Sequence, residues 1–146
     1  MNSSASSTHL HVAAKPTLLS RLLSVSPRTT FAVDAIITGP FTVALALLPA
    51  GLRELLGFSD ALLKAAVIIL VPFVAALVLH GLTGARHRGI SYALVVGNIA
   101  WVLLSIVVIL GPWFSFTPWG IAFVVAQALL VDALATWQFL ALRRSR

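Results

Sequence analysis

An all-α fold, a transmembrane four-helix bundle with both termini cytoplasmic, is what this 146-residue sequence predicts. Three observations carry that reading. Four apolar stretches, at 31–52, 61–82, 90–110 and 117–142, each reach or exceed the roughly 20 residues an α-helix needs to cross a hydrocarbon core. The composition is 60% hydrophobic and 10% charged, with a mean hydropathy of +1.03. The bases are also lopsided. Lys15, Arg21, Arg28, Arg86, Arg88, Arg143, Arg144 and Arg146 fall on one side of the implied membrane, and only Arg53 and Lys64 on the other. The positive-inside rule then puts the richer side in the cytoplasm.

Residues 1–29 are a polar, basic, acid-free tail. A disordered segment ending in a short interfacial helix is expected, with Leu18, Leu19, Leu22 and Leu23 against lipid and Arg21 toward phosphate. The same composition would also suit an organellar transit peptide and hence an organellar membrane. The transmembrane domain occupies 30–146. Ser26-Pro27 supplies an N-cap followed by proline at the first helical position, and Thr117-Pro118 repeats the device for the fourth span. Pro49, Ala50 and Gly51 stop the first helix, and 52–56 reads as a brief interfacial turn. Ser59 or Asp60 begins the second helix, Gly81 and Gly84 end it, and Gly111-Pro112 ends the third. Pro40 and Pro72 fall inside helices, where each is expected to bend its helix.

Polar residues inside the spans carry the functional information. Asp34, Thr38 and Thr42 recur every fourth residue and form one stripe on the first helix. Ser91, Asn98 and Ser105 are spaced by sevens on the third, with Trp101 beside Asn98. Gln127 and Gln138 share a face of the fourth helix with Val131 and Leu134. Asp132 and Thr136 form a second polar edge, roughly 140° away at about 100° per residue. An aspartate at a helix centre costs about 2.5–3.5 kcal/mol on insertion scales and normally faces protein or water. Asp34 lies nearer the headgroups and can meet a ligand or a cytoplasmic partner. Asp132 has no lysine or arginine at its depth, so it is expected to donate a hydrogen bond, with Asn98, Thr38 and the Trp101 indole as candidate partners. Packing between helices and ligand contact both remain open for Asp34, Thr38, Asn98, Trp101, Ser105, Gln127 and Asp132. Gly39 is expected to allow close helix contact, and Leu70 and Val107 to face lipid.

Several chemistries lack their residues. With no cysteine there is no disulfide, thiolate ligand or cysteine nucleophile. The histidines sit in the tail (His9, His11), at a helix end (His80) and in a loop (His87), a scatter that suits neither haem nor another metal. Ser105 has no histidine in the membrane to activate it. No phosphate-binding loop or dinucleotide fingerprint occurs. A non-enzymatic protein without a cofactor is expected.

The segments FAVDAIITGP, GNIAWVLLS, TPWGIAFVVAQALLVDALATWQ and ALRR, taken in order, resemble a family of uncharacterised small bacterial four-helix membrane proteins. The likeness spans nearly all of 20–146. It rests on Asp34, Thr38, Gly39, Asn98, Trp101, Ser105 and Gln127; Asp132 is not part of the pattern. The resemblance implies a bacterial inner-membrane location and supplies no activity.

Two functions compete. The first is an accessory or assembly subunit, or a bundle that binds a small ligand or lipid, with a polar cluster facing the cytoplasm. The second is a small proton-coupled transporter, a parallel oligomer with Asp34 as its ionisable site. Expected partners are the bilayer itself, with anionic lipid at the cytoplasmic face, and a second copy or another membrane protein. Nucleic acid is not expected, because the bases sit at helix ends.

Overall fold

The computed structural model describes residues 25–145. Five helices follow one another: α1 (Pro27–Ala46), α2 (Ala50–Leu56), α3 (Asp60–Leu82), α4 (Arg88–Leu110) and α5 (Pro118–Arg144). All but α2 are long and apolar enough to cross a membrane, which makes this a multi-pass membrane protein by length and composition. The expected tail helix and the transit-peptide segment lie outside the described residues.

The caps fall where the sequence puts them. Ser26, Ser59 and Thr117 each accept a backbone N–H from the first turn of the helix they precede. Gly111 closes α4, and Gly84, at a φ of 76°, follows the end of α3. The first apolar stretch is not one helix. It breaks at Leu47, and Pro49 caps the seven-residue α2 where a turn was expected. Helices α1 and α3 run unbroken through Pro40 and Pro72.

Packing is pairwise. Helix α1 lies along α3, and α4 lies along α5; α1 touches α5, and α3 touches α4 more sparingly. Along either diagonal, α1 to α4 or α3 to α5, the backbones nowhere come within 8 Å at Cα. The centre of the bundle is therefore filled by side chains rather than by helix–helix contact.

Two glycines within helices mark close approaches to a neighbouring helix. A Cβ on Gly97 would lie 2.7 Å from the Phe73 ring, so α3 and α4 meet there only because that position has no side chain. On Gly120 a Cβ would fall 1.9 Å from the Leu56 carbonyl oxygen, which fixes α2 against the start of α5. Thr117 reinforces that junction by donating its hydroxyl to the Leu55 carbonyl at 2.6 Å. The expectation for Gly39 is corrected: a Cβ there would rest 3.7 Å from Val74, an ordinary contact. Leu70 is corrected too. It is 4% exposed, in a core cluster with Leu45, Phe58 and Leu63, whereas Val107 faces outward at 50%.

Candidate functional site

The polar stripes converge inside the bundle and stack in layers along it. The layer of most consequence is built on Asp34, which α1 holds completely buried. Its Oδ1 accepts the Thr38 hydroxyl at 2.8 Å, one turn along the same helix. Its Oδ2 accepts two amides, Asn98 Nδ2 from α4 at 2.7 Å and Gln138 Nε2 from α5 at 2.7 Å. The Asn98 amide also donates to Gln138 Oε1 at 3.2 Å. Both carboxylate oxygens are thus engaged by neutral donors, and three spans meet at one side chain. Hydrogen bonds to a carboxylate are about twice as strong as neutral ones, which offsets part of the penalty of removing an acid from water.

A second layer joins α4 to α5. The Trp101 indole donates to Gln127 Oε1 at 2.9 Å, Gln127 Nε2 donates to Ser105 Oγ at 3.0 Å, and Ser105 Oγ donates to the Trp101 carbonyl at 2.9 Å. The three groups close a ring, so neither end of the glutamine amide is left unpaired. Nearer the end of the bundle that holds Arg28, Arg86 and Arg88, His80 Nε2 and Ser91 Oγ are 2.7 Å apart and join α3 to α4. Phe31 meets the His80 ring edge-on at 5.1 Å. His80 Nδ1 is buried with no partner among the described residues.

Between the first two layers lies a cavity of about 390 Å³ that all four spans line. Its polar wall is Thr38, Asn98, Trp101 and Gln127; the rest is apolar, including Phe41, Phe73 and Leu134. A neighbouring cavity of about 270 Å³ shares Phe41, Ile69, Trp101, Leu104 and Gln127 with it. That second space runs toward the aromatic cluster in which Phe123 stacks on Phe41 at 5.9 Å and meets Phe58 edge-on at 5.6 Å. Ile69 of α3 and Leu104 of α4 line both cavities and are 47% and 42% exposed, so the space reaches the outer surface along the seam where α3 and α4 touch sparingly. Volumes of this order, apolar with a few fixed polar groups, are those of small-molecule sites.

Of the residues singled out in the sequence, the structure brings Asp34, Thr38 and Asn98 into one layer and Trp101, Ser105 and Gln127 into the next. Asp132 is in neither. It is exposed on the outer side of α5, with Thr136 exposed one turn beyond. The partners expected for it are engaged elsewhere, Thr38 and Asn98 with Asp34 and the Trp101 indole with Gln127. Gln138 takes the place expected for Asp132 as the polar contribution of α5 to the core; its shared face with Gln127 was the available signal.

Comparison with protein-family models, with curated proteins and with solved structures finds no match.

Proposed function

We propose that this protein is a non-enzymatic integral membrane bundle that binds an apolar ligand, a lipid chain or a small hydrophobic molecule of the bilayer, in the cavity between its four spans. The observation that carries the reading is the cavity itself. It is roomy, almost wholly apolar, headed by Thr38, Asn98, Trp101 and Gln127, and open along the α3–α4 seam. A ligand arriving from lipid needs no aqueous path, and its polar end would meet the hydroxyl and amide groups of the two layers. Asp34 serves as the anchor of those groups. Its donors already hold both oxygens, so proton exchange in the alternative transporter reading would first require this network to open.

The bases support an orientation with the Arg28, Arg86 and Arg143 end in the cytoplasm. The resemblance to small bacterial membrane proteins supports the bacterial inner membrane as the location, with anionic lipid at the cytoplasmic face. An accessory role beside another membrane protein is compatible with a bound lipid.

Native mass spectrometry of the gently extracted protein tests the proposal. Wild type should retain an apolar molecule that Ala100→Trp, filling the cavity wall, releases. A ligand-free wild type, or retention unchanged in the variant, would overturn it.

A further inference from the structure

The chain sorts most of its membrane-depth polarity inward; Asp132 and Thr136 on α5 depart from that pattern. Asp34, Thr38, Thr42, His80, Ser91, Asn98, Ser105 and Gln138 are all buried. Asp132 is exposed near the centre of α5, roughly 20 Å from either end of that helix at 1.5 Å per residue. An aspartate side chain is far too short to reach headgroups over that distance, unlike a lysine or arginine. Left facing hydrocarbon, its carboxyl would have neither water nor a hydrogen-bond partner. The outer face of α5 is therefore a covered face in the membrane.

We infer that this face is an interface with a second copy of the chain in the same orientation, with the Asp132 and Thr136 pairs of the two copies meeting across a two-fold axis. The electrostatic complementarity is contained within the patch. Thr136 presents a hydroxyl donor one turn from the carboxyl acceptor of Asp132, so the hydroxyl of each copy can donate to the carboxyl of the other. Copies inserted in the same direction also carry the pair at the same depth, a match that no unrelated span guarantees. Ala133, exposed next to Asp132, and Ala126, exposed two turns before it, leave room for the helices to approach, and Leu129, 67% exposed, supplies apolar contact. No lysine or arginine of this chain lies at that depth, so the pairing is by hydrogen bonds.

The inference does not depend on the cavity, since α5 turns a different side toward it. The absence of native cysteine makes the test direct. Single cysteines at Ala133 and Val125 in the full chain should each cross-link to the same position of a second copy in the intact membrane. A cysteine at Ile68, 72% exposed on α3, should not. Adding Asp132→Leu should lower the yield at Ala133→Cys about tenfold, and Asp132→Asn, which still donates and accepts, should largely retain it. Because Asp132 lies outside the bundle core, the thermal midpoint of the solubilised monomer should be the same for both. Cross-linking at Ala133→Cys no greater than at Ile68→Cys would overturn the inference. So would cross-linking only to a different protein, or a yield indifferent to Asp132→Leu.

Discussion

Gln138 and Asp34 stand 104 residues apart in the chain and meet at 2.7 Å in the middle of the bundle. The bond ties the last span to the first at the oxygen that Asn98 of α4 also reaches. Helices α1 and α4 lie diagonally opposite with no close backbone approach, so these side chains bridge a gap that packing leaves open. Bundle geometry and cavity thus have a common cause. The amides hold the diagonal apart at a fixed distance, and the space beside them remains.

Replacing that carboxylate separates charge from hydrogen bonding. In Asp34→Asn the amide oxygen can still accept from Asn98 and Gln138 while its N–H donates to Thr38, so the bundle should assemble with a small loss of stability. Asp34→Leu strands the Gln138 amide and the Thr38 hydroxyl, each at a penalty of about 1–3 kcal/mol, and leaves Asn98 only its bond to Gln138 Oε1. Thermal unfolding in detergent should show a much lower midpoint for Asp34→Leu than for Asp34→Asn. Equal midpoints would mean that the network contributes little.

Much of this arrangement was legible from spacing. The sevenfold interval of Ser91, Asn98 and Ser105 puts all three on the inner face of α4, and the stripe of Asp34, Thr38 and Thr42 does the same for α1. Pairing across helices was not legible, because periodicity fixes a face and leaves the register against a neighbour free. Spacing alone therefore leaves Asn98 as one candidate partner for Asp132, whereas the structure pairs it with Asp34. On α5 two polar edges were visible, yet nothing in one sequence says which turns inward. Helix α3 is apolar almost all round, with no polar stripe in its middle to orient it, so its sequence does not distinguish buried Leu70 from its lipid-facing neighbours. Gly39 drew attention beside Pro40, whereas the close approach is made at Gly97, opposite an aromatic ring.

Glycine substitutions should sort by what lies opposite. Gly120→Ala forces a methyl group into the Leu56 carbonyl and should detach α2 from α5, with a loss of about 1–3 kcal/mol typical of overpacking. Gly39→Ala adds only an ordinary contact with Val74 and gains helix propensity, so it should be neutral or slightly stabilising. Thermal midpoints of the two variants in one detergent decide the point; a costly Gly39→Ala would show that α1 and α3 pack more tightly than described.

Orientation is open to a direct measurement. Alkaline phosphatase fused after Gly57 or within 111–116 should be active, because those connections lie opposite the basic end. Fused after Arg146 it should be inactive. A strongly active carboxyl-terminal fusion would reverse the proposed orientation while leaving the bundle unaltered.

The Trp101–Gln127 pair connects stability to the cavity, since both residues line both cavities and bond each other at 2.9 Å. Gln127→Leu removes the acceptor of the indole and also the donor to Ser105 Oγ, which keeps its bond to the Trp101 carbonyl, whereas Trp101→Phe removes only the indole donor and leaves Gln127 its bond to Ser105. The single losses should therefore be unequal, Gln127→Leu being the larger. The double variant should be more stable than the sum of the two predicts, by about 0.6 kcal/mol, the average for such bonds between transmembrane helices. A double-mutant cycle read by thermal unfolding measures that coupling. Additive losses would mean that the indole and amide meet without stabilising the α4–α5 pair, and that the polar wall of the cavity is free to rearrange around a ligand.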